Sequence, residues 1–289
     1  MRIVGRIRCE FEKAMREKAF TLIELLVVIA IISLLMAIML PALAKVRQEG
    51  QGVMCLNNLR QMAIASQAYG QSYDDSYPVA QYRQKIGTTR YEYGWDFTTI
   101  TNLTTAERKV VPGLLWQGRT TAQVQQCPSF VGESNTTSDP YTGYNYNTSY
   151  IGHGGGERVG AGYTGDIRSV AGAPDWYMVV MPAKISSVRR PADCALFGDG
   201  QYRGGANKYM RAPWVWAGDT DTSLKAAGTQ GYRHGGNTNV AWCDGHVGST
   251  RELHTQTVGE AQAEIASHNE TAGVKIGFLS PDNSAYDLE

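Results

Sequence analysis

Twenty consecutive residues, Leu25 to Ala44, carry no charged side chain, and across the wider stretch Phe20 to Ala44 (FTLIELLVVIAIISLLMAIMLPALA) the one ionisable group is Glu24. As a helix this uncharged run is roughly 30 Å long, which matches the hydrocarbon core of a bilayer. A chain carrying such a run either buries it in a core or places it in lipid, and its length and hydropathy favour lipid. Before it, residues 1–19 hold six basic side chains (Arg2, Arg6, Arg8, Lys13, Arg16, Lys18) against three acidic ones (Glu10, Glu12, Glu17). That asymmetry puts the leader in the cytoplasm and the rest of the chain on the far side of the membrane. A secretory signal peptide shares the order of basic then apolar, but this apolar run is long for one and no small-x-small cleavage site follows it cleanly. Glu24 sharpens the choice. A carboxylate in a membrane helix costs on the order of 3 kcal/mol at mid-bilayer depth and needs a partner. A freed α-amine at Phe20, one helical turn upstream, would supply one.

The heptapeptide Lys18-Ala19-Phe20-Thr21-Leu22-Ile23-Glu24, followed by the apolar run, resembles the N-terminal signature of type IV prepilins and type II secretion pseudopilins. The resemblance implies a cut between Ala19 and Phe20 by a membrane prepilin peptidase, N-methylation of Phe20, and an assembly role for Glu24. It also implies a helix-bending role for Pro41. Ala19 departs from the glycine usual before the cut. The nineteen-residue leader is long for the family, and a start at Met15 would shorten it to five.

Beyond Pro41 the helical pattern continues through Val46, Val53, Leu56, Leu59, Met62, Ala63 and Ala65. Gly50 and Gly52 weaken it, so a bend belongs between Pro41 and Gly52. Turn formers from Gly70 to Asp75, and then Pro78, end it. The expected organisation is a cationic leader over 1–19, a transmembrane and assembly helix over 20–44, its amphipathic continuation over 45–75, and an extracytoplasmic β-rich head over 76–289. In the head, Tyr91 to Trp95, Lys109 to Trp116, Trp176 to Met181 and Cys194 to Phe197 read as short strands, and glycine-rich 152–165 as loop. The fold class is α+β, a long N-terminal hydrophobic helix packed on a C-terminal antiparallel sheet.

The second specific segment is Arg233 to Val247, RHGGNTNVAWCDGHV. Val240 and Trp242 fall on one face of a strand, Asp244-Gly245 supplies a hairpin turn, and Val247 opens the return strand. The spacing His234, nine residues, Asp244-Gly245 resembles the C-terminal motif of a class of prepilin-like proteins, as do Cys55 to Gln61 and Val188 to Asp199. Asp199, His234, Asp244 and His246 are ligand types that suit a divalent ion, and they converge if the Asp199 strand lies beside the hairpin. The competing reading gives Asp244 to the turn and His234 to a backbone carbonyl. No cofactor is expected beyond such an ion, whose role would be to stabilise the head.

Removing the leader takes Cys9 with it and leaves Cys55, Cys127, Cys194 and Cys243 on the exported side. There at least one structural disulfide is expected among the three pairings, with Cys55 and Cys243 alternatively buried singly. No CxxC spacing points to zinc or dithiol redox chemistry. Tyr141, Tyr144, Tyr146 and Tyr150 read as sheet surface, with a capacity to bind sugars or other subunits. GxSxG, HExxH and phosphate-loop motifs are all lacking, so an enzyme is not expected. With 27 basic and 27 acidic side chains, no nucleic-acid partner is expected either. The expected function is therefore a prepilin-like structural subunit, single-pass in the bacterial inner membrane. It assembles with other pilin-like subunits into a pilus or pseudopilus for secretion or adhesion. The alternative is a stand-alone membrane-anchored surface protein whose head binds a ligand.

Overall fold

The computed structural model of the chain describes residues 21–119, 122–134, 139–154, 167–169, 178–202, 205–213, 228–255, 270–271 and 273–289. The leader and Phe20 lie outside the described residues, as do most of the glycine-rich 152–165 stretch and the first residues of the 176–181 strand. The chain divides into two compact units, residues 1–47 and 48–289.

One helix, α1 (Leu22–Ser72), runs for 51 residues with Pro41 inside it. It starts where a side chain can satisfy the first free N–H groups, at Thr21. It stops where the backbone turns left-handed, with Asp74 and Asp75 at φ 51° and 58° and the Asp75 N–H closing back on the Gly70 carbonyl at 2.9 Å. In the second unit the buried face of α1 comprises Cys55, Leu59, Met62, Ala63, Ser66, Tyr69 and Gly70. This stripe differs from the expected one, since Val46 and Val53 are 67% and 66% exposed. The reason is angular. Each residue advances about 100° around the axis, so Val53 and Met62, nine residues apart, face about half a turn away from each other. Steps alternating between three and four residues from Cys55 hold one face.

Strands β1 (Gln81–Ile86), β2 (Thr89–Gly94), β3 (Phe97–Asn102) and β4 (Arg108–Pro112) form an antiparallel meander. Next come β5 (Glu133–Ser134), β6 (Asn145–Asn147), β7 (Ile167–Ser169), β8 (Met178–Val180) and β9 (Ala195–Gly198). The last group is β10 (Gly205–Ala206), β11 (Tyr209–Met210), β12 (Gln230–Gly231), β13 (Thr238–Trp242), β14 (Val247–Thr250), β15 (Glu270–Thr271) and β16 (Val274–Gly277). The central sheet has the order β11-β6-β9-β13-β14 and is antiparallel except at its β6–β11 edge. Lys109 to Trp116 is strand only as far as Pro112; Leu114–Trp116 is a 3-10 turn.

The side chains of β9 and β13 are divided between two cores. Leu196, Ala241 and Cys243 join Cys55, Leu59, Met62 and Ala63 of α1 in the larger one, with Trp95, Tyr146 and Phe197 packed ring on ring. Ala195 and Val240 face the smaller one, against Phe278 and Tyr286, with Trp242 beside them. Of the four tyrosines, Tyr144 and Tyr146 are interior rather than surface, Tyr144 3% exposed and Tyr146 fully buried with its hydroxyl donating to the Pro78 carbonyl at 2.9 Å, while Tyr141 and Tyr150 are half-buried.

A buried ion triad fastens the meander to the central sheet. Lys208 Nζ lies 3.0 Å from Asp96 Oδ1 and 3.3 Å from Asp139 Oδ2, with all three side chains less than a tenth exposed. Burial and the nearby Asp96 charge push the Asp139 carboxyl up to about 6, against the pull of Lys208. The adjacent Trp95 indole donates to the Lys208 carbonyl at 3.1 Å.

Three outcomes are expected in thermal or denaturant unfolding of the full chain in detergent. Lys208→Met strands two buried carboxyls and lowers stability by about 3–5 kcal/mol, and an unchanged midpoint would show the triad to be dispensable. Gly50→Ala, with nothing within 4 Å of the new Cβ, raises helix stability by up to about 1 kcal/mol. Gly113→Ala has the opposite sign, because its Cβ would sit 2.4 Å from the Gly94 carbonyl oxygen and 2.6 Å from the Phe97 nitrogen.

Candidate functional site

The sequence places its functional residues in two regions. At the first, the start of α1, Thr21 and Glu24 form a reciprocal cap. Thr21 donates to Glu24 Oε2 through its backbone N–H at 2.9 Å and its hydroxyl at 2.8 Å, and the Glu24 N–H donates back to Thr21 Oγ1 at 3.2 Å. This is the capping box of a helix N-terminus, Thr at the cap and Glu three residues on. The T-x-x-E spacing carries that signal, and reading Glu24 only as an ion-pair partner overlooks it. Beyond the cap, the apolar side chains of the first unit are exposed on every face of the helix, from Val28 at 44% to Leu22 at 86%. A helix apolar all round has its place in lipid or against other apolar helices.

The second region lies within residues 48–289 and is built by the C-terminal motif. His234, Gly235, Gly236 and Asn237 close a tight turn, with both glycines at positive φ (64° and 86°) and paired backbone bonds of 3.1 and 3.2 Å between His234 and Asn237. Two successive positive-φ residues define a turn that only glycine makes without strain. The nine residues from this turn to Asp244 cover the turn's tip, Asn237, all of β13 and Cys243. The interval is therefore the length of one turn plus one strand. Asp244-Gly245 then makes the expected hairpin turn, with Gly245 at φ 90° and Ala241 opposite Val247.

Asp199 follows β9, which pairs with β13, so the Asp199 strand does lie beside the hairpin. Its Oδ2 accepts the Asn239 N–H at 2.7 Å and lies 3.1 Å from His234 Nε2. Asp244 and His246 do not join them. They pair with each other at 2.6 Å on the outer turn, where the Asp244 carboxylate also accepts the His246 N–H and the His246 ring stacks on Trp242. In their place stand Cys55 from α1 and Cys127 from the segment before β5. One donor atom from each of Cys55, Cys127, Asp199 and His234 lies within 4.8 Å of every other, and all four residues are buried. The two sulfurs are 2.8 Å apart, and Cys127 Sγ is 3.8 Å from His234 Nε2. Where a disulfide was expected, all four described cysteines are free thiols, arranged as two facing pairs, Cys55 with Cys127 and Cys194 with Cys243.

Arg233 closes the charge of this region. Its side chain is 2% exposed; it donates to the Gly200 carbonyl, to Gln201 Oε1 at 2.8 Å and to the Gly143 carbonyl, and approaches Asp199 Oδ1 at 3.5 Å. Burial would raise the Cys127 thiol, but the Cys55 thiol, the Arg233 charge and His234 bring it down to about 5. The Cys55 thiol moves the other way, raised by its bond to Cys127 and by burial. Burial would lower His234, yet Asp199 and Cys127 push it up to about 9. Two thiols, a carboxylate and an imidazole in one buried cluster are the donor types that bind a soft or borderline divalent metal.

A family model described as the prokaryotic N-terminal methylation motif matches residues 14–40. No curated protein and no solved structure matches the chain. The matched motif and the long apolar helix behind it support a type IV prepilin-like protein.

Proposed function

We propose that the chain is a structural subunit of a pilus or pseudopilus in the bacterial cell envelope. A prepilin peptidase cuts between Ala19 and Phe20 and the new Phe20 amine is methylated. The first part of α1 remains in the inner membrane with the head on the far side. The observation that carries this reading is the methylation motif set directly on an apolar helix whose side chains are exposed on every face over Leu22 to Val46. Such a surface is stable in lipid, and passes into a filament by exchanging lipid contacts for contacts with the same helix in other subunits.

Glu24 has the means to guide that exchange. Its Oε2 takes both Thr21 donors, so the carboxylate caps its own helix while its charge stays available to an amine of a neighbouring subunit. Assembly then replaces a costly intramembrane charge by a pair. The head's role in this reading is structural and not enzymatic, in keeping with the burial of its nucleophilic and titratable cluster at Cys55, Cys127, Asp199 and His234.

Two variants separate capping from pairing. Glu24→Ala inserts in the membrane normally but enters filaments poorly, read as loss of the multimer ladder on crosslinking in the native envelope. Glu24→Gln keeps a capping acceptor and loses the charge, and it is expected to fail in the same way. Normal ladders from Glu24→Gln would assign Glu24 to capping alone. Absence of ladders from the unaltered protein would support the stand-alone anchored surface protein instead.

A further inference from the structure

We infer that Cys55, Cys127, Asp199 and His234 form a structural zinc site that ties α1 to the β-rich head. The four residues are far apart in sequence, with 72 positions separating the two cysteines and 107 separating Cys127 from His234, yet their donor atoms converge within 4.8 Å. Tetrahedral zinc with sulfur at about 2.3 Å and nitrogen or oxygen at about 2.0 Å sets its ligand atoms about 3.3 to 3.8 Å apart. The separations here are 2.8 Å between sulfurs, 3.8 Å from sulfur to nitrogen and 3.1 Å from nitrogen to oxygen. A cation at the centre needs the sulfurs to part by about 1 Å and leaves the other two edges nearly as they are.

Three further observations favour an ion over a simple core contact. Asp199 keeps its buried Oδ1 without a hydrogen-bond partner, an acceptor that a cation would satisfy. The donors are fixed from behind. Asn239 N–H and Arg233 hold Asp199, the His234 turn is closed by its own backbone, and Tyr144, which accepts a bond from Asn58, lies against Cys55. Such outer contacts are what orient ligands at metal sites. Finally, two thiolates, one carboxylate and a neutral imidazole beside the Arg233 guanidinium sum to two negative charges, which a divalent ion neutralises; binding releases to solvent the protons that the thiols and the His234 ring hold. Four protein donors and full burial leave no open position, which is the pattern of a structural site. CxxC spacing is irrelevant here because each donor comes from a different segment.

The test uses the full chain purified in detergent from its native membrane without chelator, then reduced and reconstituted with zinc. The expected result is about one zinc per chain, with Cys55 and Cys127 protected from alkylation until a chelator is added. Cobalt exchanged into the site should show the intense visible bands of tetrahedral coordination with thiolate-to-cobalt charge transfer. Asp199→Asn is expected to weaken zinc binding about 10–100-fold, whereas Asp244→Asn with His246→Ala leaves it unchanged. Should the Asp199 variant fail to fold, the zinc content and cobalt spectrum of the unaltered chain decide the matter. Substoichiometric zinc after reconstitution overturns the proposal, and so does a native Cys55–Cys127 disulfide found by peptide mapping.

Discussion

The carboxylate of Asp199 is the point from which the head is organised. It is fully buried, and a buried carboxylate persists only when its oxygens are met by donors or opposite charge. The donors come from three places: the Asn239 N–H of β13, the Arg233 guanidinium, and the His234 ring on its tight turn. Meeting them requires β9 and β13 to pair in the observed register and the His234 turn to fold back over the end of β9. The thiols of Cys55 and Cys127 meet Asp199 and His234 at that spot. The spacing of the C-terminal motif is thereby a consequence of geometry, one turn and one strand long.

Within α1 two different solvents act on one helix. From Cys55 to Gly70 a single stripe meets the core and the other faces meet water, so the sequence there follows the helical period. From Leu25 to Ala44 the helix is uncharged and exposed on every face, so no stripe exists to be found. The capping box at Thr21 and Glu24 reconciles the two demands at the membrane end by giving the first free N–H groups an acceptor without a second charged residue.

Much of this was legible from residue order. The length of α1, its end at the Asp74-Asp75 turn, the Asp244-Gly245 hairpin and the nearness of Asp199 to His234 all follow from local pattern or from one strand pairing. The phase of the buried stripe was not, because Val53 and Leu56 satisfy a loose spacing of three or four while drifting off the face that Cys55 begins. Nor were Cys55 and Cys127 recognisable as neighbours of His234, since no local spacing links residues 72 and 107 positions apart and only the closed fold brings them together. Asp244 and His246 have the right chemistry in the wrong place, satisfied by each other on an outer turn. Tyr146, with Tyr144 just before its strand, looked like surface because alternation is invisible in a three-residue strand buried on both faces.

The central claim is that the apolar helix begins a processed, methylated subunit. Intact and N-terminal peptide mass spectrometry of the protein from its native membrane tests it most directly. The account predicts a chain beginning at N-methylated Phe20. A chain beginning at Met1 or Met15 would contradict it, because the Ala19-Phe20 bond would then be uncut and the Phe20 amine would not exist to meet Glu24.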